Sequence, residues 1–467
     1  MIRTRFAPSP TGFMHIGNLR TALYAYLIAK NKGGTFILRI EDTDRERYVK
    51  ESLDFIYKTL QMVGINYDEG PEREGTSGPY IQSMRTEIYQ KYAKILVENK
   101  NAYYCFCEKN ENIETENKKP HRCDCINLKN PTTEKPHVIR QIIPDGKTTF
   151  YDVVYGVITV DNSELENGVL LKSNGFPTYN FANVVDDHLM NITHVIRGSE
   201  YLSSTPKYNL LYNAFGWDIP VYIHLPLILG SDKTKLSKRN GDANFSDLLN
   251  EGYLPEAIIN YIALLGWSPE ESEELFSLKE LEKKFTLTGI GKSPAIYDKK
   301  KLDWFNTEYI KKLDFDDFYK FAYPYLKNIK KEVDYKKIAS FLRSRITFFK
   351  DIVNLVSFID ELEDYDTNIY IHKKMKTDLQ NSLISLQEIL IELEKLENFN
   401  FDNLNNIIKL KIEILNVKNS IVLWPIRTAL SGKPTSFCGA IELLEIFGKE
   451  ESIRRIKIGI DKIQKTL

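Results

Sequence analysis

The sequence predicts an α/β protein: a parallel sheet split by an inserted α+β segment and followed by all-helical domains. Strand-like and helix-like stretches alternate through residues 1–100, the order of a βαβ unit. Residues 101–185 break that alternation with a polar, cysteine-bearing, β-rich stretch. From Tyr253 to Leu467 helical periodicity dominates.

In order, "IRTRF" reads as a short strand and Leu19, Ala22, Leu23, Tyr26 and Leu27 as one face of a helix. Gly33 and Gly34 end that helix. "TFILRIED" is a buried strand and "RERYVKESLDFIYKTLQMVG" a second helix. The insertion carries "EKNENIETENKKP" and strand-like "TFYDVVYGVITV", after which "ITHVIRG" and "PVYIHLPLIL" resume the sheet pattern. A polar loop, "GSDKTKLSKRNGDA", leads to the helices, of which "YLPEAIINYIALLGW" and "SLISLQEILIELEKL" are examples. The expected division is 1–100 and 186–252 for the two halves of the sheet domain and 101–185 for the insertion. Three helical pieces follow, 253–320, 321–375 and 376–467.

Bulk properties narrow the function. A chain of 467 residues with 42% hydrophobic and 27% charged residues can form several cores. A net charge of −1 gives no global basic field, so any nucleic-acid contact must come from local patches. No apolar run approaches the roughly 20 residues that span a bilayer, and the N-terminus has no signal pattern. A cytoplasmic protein is expected. Five cysteines are too few for a disulfide scaffold, and four lie between Cys105 and Cys125, which points to metal or redox chemistry.

The first loop, "APSPTGFMHIGN", stands where open α/β sheets bind ligands, at the carboxyl end of a strand. A helix start at Asn18 or Leu19 presents backbone N–H groups and a partial positive charge to a phosphate. Gly17 permits close backbone approach, His15 can donate to a phosphate oxygen, and Asn18 can cap the helix or donate. A stiff turn with a surface histidine fits the same residues. Far downstream "KTKLSKR" gathers Lys233, Lys235, Lys238 and Arg239, which alone is an ordinary solvated loop.

Together, His-Ile-Gly-Asn after the first strand and Lys-Leu-Ser-Lys-Arg after a late one resemble the two signature motifs of class I aminoacyl-tRNA synthetases. "RFAPSPTGFMHIGNLRTALY", "LRIEDTD", "FPTYNFANVVDDH", "ITHVIRGSEY" and "PIRTALSGKPTSFCGAIELLEIFGKE" narrow the resemblance to the glutamyl-tRNA synthetases of bacterial type. It runs from Arg3 into the helical C-terminal region. Asn18 replaces a second histidine of the class pattern, Leu236 replaces methionine and Arg239 a final serine.

The resemblance implies a Rossmann-like sheet, a helical stem-contact domain and two helical anticodon-binding domains. The reaction would activate glutamate with ATP and Mg²⁺ and transfer it to the 3′ end of tRNA(Glu), in a monomer. His15, Lys238 and Lys235 would be catalytic, with Gly17, Asn18, Glu200 and Lys238 at ATP. Arg5 and Arg197 would face the side-chain carboxylate, Glu41 the ammonium, and Ala7, Ser9, Tyr179 and Asn183 would complete the pocket. Arginine suits a carboxylate because its fork pairs bidentately. Arg345 would read an anticodon base, and an arginine there favours an enzyme that accepts the tRNA for glutamate alone. A non-discriminating form that also charges tRNA(Gln) is the alternative.

Cys105, Cys107, Cys123 and Cys125 form two C-x-C pairs fifteen residues apart, a donor set suited to tetrahedral Zn²⁺. His121 could replace one cysteine, and four reduced thiols are the other reading. A closed four-ligand site would be structural, one zinc per chain. Cys438 is expected to be packed. Basic runs at Lys299–Lys301, Lys327–Lys331 and Lys373–Lys376 are either phosphate contacts or solvated helix faces.

Other functions need other features. A glutaminyl enzyme would carry β-barrel anticodon domains, against the periodicity after Tyr253. A truncated tRNA-glutamylating relative would lack the helical half. A silent RNA-binding descendant would not keep His15, Lys238, Arg5, Glu41 and Arg197 together. A nucleotidyltransferase would need neither the helical half nor the Tyr179 pocket.

Overall fold

The computed structural model describes residues 1–12, 14–44, 49, 51–107, 123–128, 135–234, 236 and 244–467. Lys235, Lys238, Arg239 and His121 lie outside the described residues. Contacts divide the chain into Met1–Phe305 and Asn306–Leu467.

In the first unit, strand β1 (Arg3–Phe6) pairs in parallel with β2 (Thr35–Leu38), and helix α1 (Ile16–Asn31) makes the crossover. Eleven residues of α1 are buried, so it is a core helix rather than an amphipathic one. Gly33, at φ 60°, turns the chain out of it. A Cβ on Gly34 would collide with the Ile2 carbonyl, so glycine lets the return strand start tight against β1. Helices α2 (Glu51–Met62) and α3 (Thr86–Glu98) follow.

The α1 start differs from the sequence reading. The helix begins at Ile16, and His15 rather than Asn18 is the N-cap: its Nδ1 accepts from the Gly17 N–H at 3.0 Å. Asn18 therefore sits inside the first turn.

The inserted segment forms two small assemblies. Strands β3 (Ala102–Cys105), β4 (Val138–Gln141) and β7 (Val169–Leu171) make an antiparallel sheet. Between them, β5 (Lys147–Asp152) and β6 (Gly156–Asp161) form a hairpin. The chain then runs through α4 (Tyr179–Leu189), β8 (His194–Gly198), α5 (Thr205–Phe215) and β9 (Val221–Leu225). Strands β8 and β9 are parallel, and β5 joins β9 at Asp152 opposite Tyr222, giving the order β6-β5-β9-β8. The hairpin of the insertion thus extends the main sheet. Along β5 Thr148, Phe150 and Asp152 are buried and their neighbours exposed, so Asp152 occupies a core position.

Beside β1 on its other edge lies the start of β8, where the Thr193 N–H donates to the Arg3 carbonyl at 3.0 Å. One neighbour of β1 is reached by the α1 crossover and the other only after about 190 residues of chain. That is the topological switch point at which α/β sheets open a crevice. The unit closes with β10 (Ile228–Leu229), α6 (Phe245–Glu251), α7 (Pro255–Ala263), α8 (Leu278–Lys284), β11 (Ala295–Ile296) and the start of α9 (Lys299–Lys312). The Tyr24 hydroxyl and the Asn31 amide of α1 donate to carbonyls of Ala263 and Glu282, tying the core helix to this helical layer.

Asn306–Leu467 is helical, as the periodicity predicts. It holds the rest of α9 with α10 (Phe315–Leu326), α11 (Tyr335–Leu342), α12 (Asp351–Val356), α13 (Leu379–Lys395), α14 (Phe401–Leu415), α15 (Asn419–Ser431) and α16 (Ala440–Thr466). Gly448 kinks α16 at φ 70°. Fully buried Arg455 donates to the carbonyls of Phe358, Ile359 and Leu430, satisfying acceptors that packing removes from water. No helix among the described residues is long and apolar enough to cross a membrane.

Candidate active site

The loop after β1, the start of α1, the strand ends of β8 and β9 and the chain after β2 surround one cavity of about 400 Å³ at the switch point. Its lining contains Arg5, Ala7, Ser9, Glu41, Tyr179 and Arg197 of the expected amino-acid set. It also contains His15, Gly17, Asn18 and Glu200 of the expected nucleotide set. Asn183 does not line it. It lies one turn along α4, buried, with its amide on the Tyr179 carbonyl at 2.9 Å. Leu236, the described residue of the second motif, is buried in the cavity wall that the first motif also lines.

On the nucleotide side the His15 cap fixes a tautomer. With Nδ1 accepting from Gly17, the ring hydrogen resides on Nε2, where it is a donor. The Gly17 N–H is spent on this cap. Arg20, one turn along α1, is buried and also lines the cavity, its guanidinium donating to the carbonyls of Leu265 and Pro226.

The floor on the other side is a buried charge network. Arg5 from β1 grips Asp187 of α4 with Nε at 3.0 Å and Nη2 at 3.3 Å, and donates Nη1 to the Ile196 carbonyl at 3.1 Å. Arg39, just past β2, reaches Asp187 at 2.8 Å and Glu41 at 3.0 Å. Asp186 faces Arg85 at 2.7 Å and accepts from Tyr89 and Gln82. Three guanidinium groups (Arg5, Arg39, Arg85) thus meet three carboxylates (Glu41, Asp186, Asp187), and all six are nearly inaccessible.

These neighbours divide the carboxylates. Burial would raise Asp187, but Arg5 and Arg39 outweigh it and hold its carboxyl below the usual range. For Glu41 burial prevails over Arg39 and Arg5, with Asp187 adding repulsion, and its pKa is pushed up to about 7. Burial lowers Arg5, but the Asp187 charge overcomes it and the guanidinium ends raised.

Arg197, at the carboxyl end of β8, is held differently. Among the described residues no carboxylate lies within ion-pair distance of it. Its Nε donates to His224 Nε2 at 3.1 Å and Nη2 to Thr205 Oγ1 at 2.9 Å. Its guanidinium carbon stands 4.6 Å from the ring centre of Tyr208 and 5.3 Å from those of Tyr201 and Tyr222, cation–π distances. A cation without a counter-ion among the described residues, in the same cavity as an acid of raised pKa, suits a zwitterion carrying one extra carboxylate.

Sequence reasoning did not single out Asp187, Asp186, Arg39, Arg85, Asp152, His224, Thr205 or Arg20. The available signal was charge inside apolar runs: Arg39 in "FILRI", Asp186 and Asp187 in "ANVVDDHL", His224 in "VYIHLPL". A charge there must find a buried partner.

Away from this cavity the four cysteines of the insertion converge. Their Sγ atoms all lie within 4.8 Å of one another, with Cys105–Cys123 at 3.6 Å and Cys107–Cys125 at 3.8 Å. Tetrahedral Zn–S bonds of about 2.3 Å require S···S separations of about 3.8 Å, so the donors fit such an ion. In the second unit Arg345 is exposed and Cys438 buried. Parts of the basic runs are neutralised within the chain: Lys299 by Glu251, Lys301 by Glu274 and Lys331 by Glu451.

Sequence comparison decides the family. The profile described as tRNA synthetases class I (E and Q), catalytic domain, matches residues 1–304. The chain belongs to that family. An anticodon binding domain profile matches residues 317–460 of this synthetase. A glutamate–tRNA ligase of Clostridium novyi is 56% identical over 484 residues, spanning 100% of this chain and 99% of its own. One of Clostridium acetobutylicum is 56% identical over 480 residues, spanning 99% of each. The crystal structure of a glutamate tRNA ligase from Elizabethkingia meningosepticum in complex with its amino acid superposes with a TM-score of 0.85 at 36% identity, covering 99% of both chains. The fold is the class I catalytic domain with its parallel sheet, joined to a helical anticodon-binding part, as the sequence predicts.

The charge network makes a stability prediction for this synthetase. Asp187→Ala leaves Arg5 and Arg39 buried without their shared anion and should cost about 3–5 kcal/mol. Removing Lys311 from its exposed pair with Glu308 should cost under about 1 kcal/mol. Urea unfolding of the two variants, followed by tyrosine and tryptophan fluorescence, checks the contrast.

Proposed function

We propose that this chain is a glutamate–tRNA ligase that joins L-glutamate to the 3′ end of tRNA(Glu) in two steps. An oxygen of the α-carboxylate attacks the α-phosphorus of ATP, and pyrophosphate leaves. A hydroxyl of the terminal ribose then attacks the adenylate carbonyl, and AMP leaves. Charge gathers on oxygens and no covalent nucleophile is required, so positioning and electrostatics carry the rate. His15 donates from Nε2 to the phosphates, while Lys238, and Lys235 as a second candidate, neutralise the charge that develops there. Gly17, Asn18 and Glu200 line the nucleotide side, and Mg²⁺ accompanies the triphosphate. Arg345 reads the anticodon, which favours tRNA(Glu) over tRNA(Gln).

The observation that carries this reading is Arg197, a cation with no carboxylate partner among the described residues, in the cavity that also holds Glu41 and the His15 cap. Arg197 takes the side-chain carboxylate together with the donors Arg5 has left, and Glu41 takes the ammonium. Ala7, Ser9 and Tyr179 shape the wall, and Asn183 supports Tyr179 from behind. Glutamine would place an amide against the guanidinium, a mismatch that such sites reject by ~10⁴–10⁵-fold.

The cysteine cluster holds one structural Zn²⁺, which pins the polar part of the insertion. Metal analysis of the purified full-length protein should give one equivalent of zinc per chain, and Cys105→Ser should reduce it. A protein purified without chelator and free of zinc would contradict the assignment.

The test of function is pyrophosphate exchange with glutamate, with and without tRNA, followed by charging of purified glutamate and glutamine tRNAs. Exchange that requires tRNA and charging of the glutamate tRNA are expected, and equal charging of both would show a non-discriminating enzyme. The Glu41 pKa sets the pH dependence. Below 7 the group holds a proton and offers the ammonium no charge; above 7 it is a carboxylate. The KM for glutamate should therefore fall about tenfold from pH 6 to pH 8, and in Glu41→Gln that slope should vanish.

A further inference from the structure

Arg197 is oriented by a chain of groups that ends in the inserted segment. The Thr205 hydroxyl donates its one hydrogen to the Tyr201 carbonyl at 2.9 Å, so towards Arg197 Nη2 it is an acceptor. His224 Nε2 must likewise offer a lone pair to Arg197 Nε, which puts the ring hydrogen on Nδ1. Nδ1 lies 2.7 Å from Asp152 Oδ2 and donates to it. Asp152 also accepts from the N–H groups of His224, Val154 and Tyr155 at 3.1, 2.9 and 2.8 Å. Every partner of Asp152 is a donor, so it is a carboxylate and His224 a neutral imidazole. Asp152, His224 and Thr205 are fully buried and Arg197 nearly so.

We propose that Asp152 and His224 are positioning residues for Arg197, a carboxylate–imidazole–guanidinium chain that fixes the fork while leaving its charge for the amino acid's side-chain carboxylate. This rests on reading Arg197 as the contact to that carboxylate. The chemistry explains why the middle member is an imidazole. A carboxylate in direct contact, as Asp187 is with Arg5, would hold the guanidinium but cancel its charge. A neutral acceptor holds Nε and leaves the charge whole. Of five N–H groups on Arg197 two are committed, to His224 and Thr205, and three are left for a ligand. Burial lowers the His224 pKa, which keeps the ring neutral. Asp152 reaches this place because β5 of the inserted hairpin docks on β9, so the insertion contributes to amino-acid selection through the main sheet.

Aminoacylation kinetics of the full-length protein with tRNA(Glu) transcript test this. His224→Leu removes the acceptor and should raise the KM for glutamate about 10- to 100-fold, the range for one hydrogen bond to a charged group. The KM for ATP should move less than about twofold, and the preference for glutamate over competing glutamine should shrink. His224→Gln should restore the glutamate KM, because its amide oxygen accepts from Arg197 while its NH₂ donates to Asp152. Should His224→Leu not fold, Asp152→Asn gives the same test: its amide oxygen stays on the Val154 and Tyr155 N–H groups, its NH₂ faces Nδ1, which must then accept, and the reversed imidazole tautomer sets Nε2–H against Arg197 Nε–H. Equal changes in the KM for glutamate and for ATP, or failure of glutamine to rescue, would overturn the proposal. Arg197→Ala separates the two levels. If it leaves the glutamate KM unchanged, the contact itself is misassigned; if it raises that KM while the His224 and Asp152 variants do not, only the positioning chain fails.

Discussion

The cavity depends on a constraint that is electrostatic before it is catalytic: three arginines and three carboxylates share one nearly dry volume at the switch point of the sheet. None of the six can lose its partners cheaply. They come from β1, the chain after β2, the turn before α3 and the body of α4, so satisfying them holds those elements in mutual position. With Glu41 ionised the network is balanced, and a further cation beside it stays unbalanced. Arg197 is that cation.

Arg5 and Arg197 therefore do different work, although a sequence reading assigns both to one carboxylate. Arg5 spends its fork on Asp187 and a third N–H on Ile196, so it is chiefly a strut with a ligand-facing edge. Arg197 stands among three tyrosine rings and neutral acceptors. On the proposed reading the same side chain type serves stability in one place and binding in the other, and the difference lies in whether a carboxylate or a neutral imidazole faces its Nε.

Much of this was legible in the sequence. The βαβ opening follows from periodicity and from the glycine pair after α1. The cysteine spacing brought four thiols to one place, and the helical second half was plain from its apolar periodicity. Of the residues named for the cavity, those that the structure describes line it apart from Asn183 on α4, while Lys235 and Lys238 lie outside the described residues. The cap was misjudged because a histidine imitates an asparagine cap only when its ring folds back on Gly17, which pattern alone does not reveal. The charge network was missed for a similar reason. Apart from Arg39 and Glu41, its partners are separated by more than a hundred residues, and pairing across that distance is a property of strand order. The β5 hairpin joining the main sheet was hidden in the same way, since its alternation would suit any half-buried sheet.

The most direct test of this division of labour is a crystal structure of the protein with glutamate bound. The account predicts that the Arg5–Asp187 pair survives intact while the ligand's side-chain carboxylate lies within hydrogen-bond distance of Arg197, whose Nε still donates to His224. A structure in which Asp187 has released Arg5 to the ligand, and Arg197 has turned away from it, would contradict the account.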